Sequence, residues 1–249
     1  MSFVRVMAVA AMTLGSASVV QAQALPSAAD VVAKYVTAIG GRENVLKIKS
    51  ITQIASMEVP AAGLTAELKA VQAEPTMVSQ LTTLAGIGEM SQGFNGTVGW
   101  EINPMQGPRL YTPKEVEQAK EMNDLHGSRL FPADQYSKME VLEQVDFNGE
   151  KAYKVKMVRK SGKEATHYFS TTTNLLIGSD ITSESPMGSQ TQQFKFSKYE
   201  AVEGVKFPMR TEMMVGPTAV IISVKSTTLN DVPASAFEVP AAIKPLISK

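Results

Sequence analysis

The residues able to do chemistry are few and scattered. The 249-residue chain contains no cysteine and only two histidines, His126 and His167. No Gly-x-Ser-x-Gly elbow occurs, so neither a thiol nor a serine nucleophile is set beside a base. Metal sites need three or four ligands, and two histidines separated by a long stretch of chain do not supply them. His167 falls mid-strand between Ala165 and Phe169. His126 follows a helix, where a cationic side chain suits the C-terminal dipole. Glu89, Glu101, Glu143 and Asp180 fall on solvated strand faces, and no pair of them reads as an acid and a base. Gly86-x-Gly88 has no helix after it and is no phosphate loop. Asn95-Gly-Thr97 matches a glycosylation sequon, but the turn it occupies already accounts for Asn and Gly. The expectation is therefore a protein that is not an enzyme and needs no metal or cofactor.

The elements around these residues are strands. Gly86 to Glu101 reads as a β-hairpin turning at Asn95-Gly96, a dipeptide that suits a two-residue turn. Met90, Gln92 and Phe94 share one face going in; Val98, Trp100 and Ile102 share one coming out. More two-period strands lie on both sides: Ile51 to Val59, Leu64 to Gln72 and Met77 to Leu84 before it. After it come Met139 to Phe147, Lys151 to Val158 across Asn148-Gly149, Glu164 to Ser170, Leu175 to Thr182, Gln190 to Glu200, Val205 to Val215 and Ala219 to Leu229. None leaves room for a crossover helix, so the sheet is antiparallel. The hairpin is expected at its middle. A sheet of roughly eleven strands must curl or close.

Helices are few. Ser27 opens an amphipathic one, with Val32, Tyr35, Val36 and Ile39 on one stripe and Gly40-Gly41 as its stop. Asn103 to Pro108 interrupts the sheet. Thr112-Pro113-Lys-Glu115 then opens a charged helix whose thin apolar set is Val116, Ala119, Met122 and Leu125. Such a helix suits a cover, or lid, laid over something else.

Residues 1–24 have the build of a secretory signal peptide: Arg5, an apolar run from Val6 to Leu14, and small residues ending at Ala22 or Ala24. Its removal leaves residues 25–249 as one domain, with 23 basic against 24 acidic residues. The near-neutral balance and the lack of a basic patch exclude nucleic acid as a partner. No later apolar run is long enough to span a membrane. The expected location is the periplasm.

Several motifs together resemble a known family. They are the helix ending Ile39-Gly-Gly, the segment Gln92-Gly-Phe-Asn-Gly-Thr-Val-Gly-Trp100, the inserted helix, Tyr168-Phe-Ser-Thr-Thr-Thr-Asn-Leu-Leu-Ile177, and Tyr199-Glu-Ala-Val-Glu-Gly-Val-Lys-Phe-Pro208. This pattern is similar to the outer-membrane lipoprotein-sorting, or LolA-like, superfamily, from about Leu25 to Val239. The resemblance implies a mainly β fold: an unclosed β-barrel with an N-terminal helix and a helical lid. It implies an apolar concave face holding acyl chains of lipoproteins or lipids, with envelope membrane proteins as further partners. It also implies an arginine that latches the lid, for which Arg42 and Arg109 stand in suitable regions. The expected lining is Leu68, Met90, Phe94, Trp100, Tyr153, Val155 and Met213, with Val116, Ala119 and Met122 on the lid. The competing expectation is an envelope protein-binding scaffold whose barrel core is packed and dry.

Overall fold

The computed structural model describes residues 24–185 and 188–247. Every strand it contains joins a single antiparallel sheet of thirteen. The first six are β1 (Ser50–Val59), β2 (Leu64–Ala73), β3 (Met77–Leu84), β4 (Gly88–Phe94), β5 (Gly99–Asn103) and β6 (Gly107–Leu110). The rest are β7 (Tyr136–Phe147), β8 (Glu150–Arg159), β9 (Glu164–Ser170), β10 (Leu176–Ser185), β11 (Gly188–Val202), β12 (Val205–Val215) and β13 (Thr218–Leu229). The order across the sheet is β6-β5-β4-β3-β2-β1-β13-β12-β11-β10-β9-β8-β7.

The first and last strands therefore meet at the centre, with Ile51 opposite Leu229. The free edges are β6 and β7, and the chain between them carries the inserted helices α3 (Pro113–Met122) and α4 (Gly127–Leu130). Two expectations are corrected here. The β4–β5 hairpin lies next to an edge, not in the middle. The run from Asn103 to Pro108 does not break the sheet: it turns β5 into the short strand β6, which its Pro and Gly content disguises.

Turn chemistry explains the registers. Asn148 (φ 54°) and Gly149 (φ 84°) both take positive φ, as a two-residue hairpin of this hand requires. Asn95 does not adopt positive φ. Its side chain instead accepts from the backbone N–H groups of Thr97 (3.0 Å) and Val98 (2.8 Å), closing a longer loop that pairs Phe94 with Gly99.

Helix α1 (Ala28–Ala38) is capped by Ser27, whose hydroxyl oxygen accepts from Asp30 N–H at 3.1 Å. It stops where Gly40 packs against Gly204 and Lys206 N–H donates to the Ile39 carbonyl at 2.8 Å. Helix α2 (Arg42–Leu46) follows. The stripe Val31, Val32, Tyr35 and Ile39 is buried in the main core with Ile51, Val155, Met157, Phe169, Val205 and Phe207 from the sheet. Burial of each large apolar side chain contributes about 1.5–3 kcal/mol, which is what holds a helix this short on the sheet. Leu125, Leu130 and Phe131 of the insert join the same core. The sheet face that receives these helices is the inner face.

The outer face has its own cover. A 3-10 turn at Ala234–Phe237 packs on β3, and α5 (Lys244–Ile247) packs on β6. Phe237 and Ile243 of this C-terminal segment are buried. No helix among the described residues is long and apolar enough to cross a membrane.

Candidate functional site

The inner face divides into two halves. The helices occupy the half near the starts of β1 and β12 and the ends of β9 and β13, where Ile51, Val205, Phe207, Phe169 and Leu229 are packed dry. Toward the other ends of β1, β2, β12 and β13 nothing joins that core. The register places Met57 beside Ala66 and Ile222, Ile222 beside Thr211, and Val220 beside Met213, which faces Phe194. All but Ala66 in this set are only half-buried. Phe194 stacks on Phe196 with ring centroids 6.3 Å apart, and Phe196 in turn touches the packed core. The pair marks the boundary between the dry half and the open half. Along β1 to β4 this face carries Met57, Ala66, Leu68, Thr82, Leu84 and Met90 and no charged residue. On β2 and β13 the charges point outward, as in the ion pair of Lys225 with Glu67 at 2.5 Å. Beyond β4, by contrast, Glu101 on β5 and Arg109 on β6 face inward and pair with each other. From β4 across β1 to β12 the open half is thus an apolar trough without charge, rich in the flexible side chain of Met and bordered by Glu101 and Arg109 at the β5–β6 edge.

The seven expected lining residues separate on this geometry. Leu68, Met90 and Met213 lie on the inner face of the open half or at its margin. Tyr153 and Val155 also face inward, but beneath the helices, and Val155 is wholly buried. Phe94 faces inward at the far end of β4, also wholly buried. Trp100 does not share its face. Gly93 lies directly opposite it, and a Cβ on Gly93 would enter the indole ring. With Phe94 paired to Gly99, Trp100 points to the outer face, the side carrying the C-terminal segment.

The inserted helix is held at both ends. Thr112 and Glu115 form a reciprocal capping box. The Glu115 carboxylate also receives Arg109, which at the same time holds Glu101 on β5 at 2.6 Å. These hydrogen bonds, that from Arg109 foremost, keep the Glu115 carboxyl below its ordinary range. Further along, Glu121 receives Lys163 at 2.5 Å and Ser161 at 2.7 Å from the β8–β9 turn. Leu125 N–H donates to the Pro75 carbonyl at 3.1 Å, and His126 Nε2–H donates to the Ile48 carbonyl at 2.8 Å. Of the three expected lid residues, Ala119 is buried, Val116 is half-buried and Met122 is 69% exposed. Arg42 lies on α2, away from these contacts.

The remaining polar chemistry is closed off. His167 Nδ1 lies 2.8 Å from Ser179 Oγ, and its ring packs edge-on to Phe131 with centroids 5.0 Å apart. Burial pushes the His167 imidazole down to about 4, and the nearby Arg159 charge adds to this. Burial likewise pushes the Tyr35 hydroxyl up to about 12, opposed by Arg129. Arg129 was not singled out from sequence. It donates to the Leu125 carbonyl at 2.6 Å and lies over the Phe207 ring, 5.5 Å from its centroid. Among the described residues no group of three or more His, Cys, Asp or Glu could hold a metal. Two clefts open elsewhere. One of about 460 Å³ lies on the outer face between Val71, Leu81 and the segment from Asp231 to Ala236. The other, about 530 Å³, lies between α3 and the β8–β9 turn and is lined by charges such as Glu117, Lys120 and Lys163.

No family model matches the sequence, and no curated protein does. Solved structures do match the fold. A DUF1329 family protein from Desulfovibrio piger superposes with a TM-score of 0.58 at 13% identity, covering 85% of this chain and 97% of that one. A LolA superfamily protein from Nitrosomonas europaea gives 0.56 at 12%, covering 86% and 99%. A putative outer membrane lipoprotein-sorting protein domain from Vibrio parahaemolyticus gives 0.52 at 12%, covering 88% and 97%. At these identities the likeness is one of architecture, and in architecture this chain is LolA-like: one unclosed antiparallel sheet with an N-terminal helix and an inserted helix on its inner face.

Proposed function

We propose that this chain is a non-catalytic carrier that holds acyl chains of lipoproteins or lipids along the open half of its inner sheet face. The observation that carries this reading is that the helices cover only half of that face. The other half presents Met57, Leu84, Met90, Met213, Val220 and Ile222 without a charge among them. Each CH₂ transferred from water to such a surface is worth about 0.8 kcal/mol, so one long acyl chain can be held reversibly with no polar contact. The LolA-like architecture supports the same reading, as does the signal-peptide pattern of residues 1–24, nearly all of which lies outside the described residues. Together they favour work in the periplasm, with envelope membrane proteins as donors and acceptors. The lining proposed is Leu68, Met90 and Met213, with Tyr153 and Val155 as its packed floor. The inserted helix, with Val116 and Ala119 turned toward the sheet, serves as the cover and Arg109 as its latch.

The test is native mass spectrometry of the protein recovered from the cell envelope without detergent, followed by solvent extraction. A co-purified acylated peptide or phospholipid supports the carrier and names its cargo. An empty protein that also takes up no fluorescent fatty acid overturns it in favour of a protein-binding scaffold.

A further inference from the structure

In an antiparallel meander the turns alternate between two rims. From β6 across to β12, one rim gathers the β5–β6, β3–β4, β1–β2 and β12–β13 turns. Their tips read Pro104-Met-Gln106, Ala85-Gly-Ile87, Pro60-Ala-Ala-Gly63 and Gly216-Pro217. No charged residue occurs in any of the four. Large apolar side chains stand out into solvent there: Met105 is 86% exposed, Ile87 48%, and Leu64, at the start of β2, 40%. The opposite rim has a different composition, with Glu74, Glu203 and Asp231 at its turns. The apolar rim is also the one onto which the uncovered half of the inner face opens, since the helices pack toward the other.

We infer that this rim docks on a lipid bilayer, its four turns entering the interfacial layer side by side. The chemistry selects the partner. Loop tips with no charge suit the boundary between headgroups and acyl chains, where apolar side chains leave water and turn carbonyls keep polar partners. They offer no ion pair to an anionic headgroup, so attachment is hydrophobic and indifferent to salt. Continuity of the rim with the charge-free trough is the second observation, because a chain leaving the bilayer would meet apolar surface throughout. The inference stands apart from the carrier reading, since rim docking is measured without any cargo.

The experiment is flotation of the full chain, as recovered from the envelope, with vesicles of phosphatidylcholine and phosphatidylethanolamine at low and high salt. Bound fractions that agree at both salt concentrations are expected. The double substitution Met105→Asp and Ile87→Asp is expected to lower partitioning at least tenfold, while Thr97→Asp on the opposite rim leaves it unchanged. The absence of native cysteine allows a second reading: a polarity-sensitive dye on Met105→Cys should shift to the blue on adding vesicles, and one on Thr97→Cys should not. The inference is overturned by absence of binding, by equal binding of the double variant, or by equal dye shifts at both rims. It is also overturned by binding that needs anionic lipid and vanishes in salt. Attachment only to envelope vesicles that lose it on protease treatment overturns it in favour of a protein partner.

Discussion

Arg109 and Glu115 meet at the junction of the edge strand β6 and the helix α3, with Nη1 and Nη2 each 3.1 Å from a carboxylate oxygen. Because Glu115 also closes the capping box, one carboxylate fastens the helix both to its own first turn and to the sheet edge.

The ion pair is partly exposed, so Arg109→Ala should cost less than about 1 kcal/mol of global stability. Thr112→Ala, which removes the cap, should cost about 1 kcal/mol. Both should raise amide exchange in α3 well before the sheet responds, and hydrogen exchange checks this. The Glu115 carboxyl is depressed in the folded protein, so its contribution is present above the ordinary carboxylate range. That contribution is lost as pH falls through the lower, folded value. Protection factors of the α3 amides, measured against the unfolded-chain rate at each pH, should therefore fall below about pH 4.5.

His167 has the same sign at a higher pH. Its imidazole is held neutral by burial and by Arg159, down to about 4 against an ordinary 6.5. The stabilisation is complete above pH 6.5 and declines as pH falls from there toward 4. The span corresponds to about 3 kcal/mol. Thermal melting across that range should fall more steeply for the native chain than for His167→Gln.

Gly40 has φ +120°, and a Cβ there would overlap the Gly204 carbonyl oxygen. Gly40→Ala should therefore cost roughly 2–4 kcal/mol and lower the melting temperature by many degrees. Gly63, which has positive φ but open space around it, should tolerate the same change at a smaller cost.

Met213 and Trp100 separate the trough from the outer face. Met213→Lys should reduce uptake of a fluorescent fatty acid severalfold with little change in melting, since the side chain is only half-buried. Trp100→Ala should cost about 3–5 kcal/mol, as expected for a buried large aromatic. Under conditions where that variant stays folded, uptake should be unchanged and the segment after Asn230 should become sensitive to protease.

Much of this sheet was legible from alternation alone, because a strand with one buried face must alternate. Asn148-Gly149 gave its turn type directly. Trp100 shows where legibility ended. Alternation fixes which residues share a face within one strand, but the relation between two strands depends on the loop joining them. The Asn95 side chain sets that loop so that Phe94 pairs with Gly99, which sends Phe94 and Trp100 to opposite faces. Strand β6 was hidden by Pro108 and Gly107, residues allowed there because the strand lies at an edge. The uncovered half of the inner face was invisible for another reason. Met57 and Ile51 share one alternating pattern, and only the landing place of α1 makes one packed and the other open.

The central pairing of β1 with β13 has a kinetic corollary. About 180 residues separate Ile51 from its partner Leu229, so the seam joining the two wings closes only after nearly the whole chain has been made. Until then β1 has β2 on one side and a bare, ten-residue hydrogen-bonding edge on the other. A nascent chain of this design stays adhesive for most of its synthesis, and its last strand completes the sheet by covering that edge.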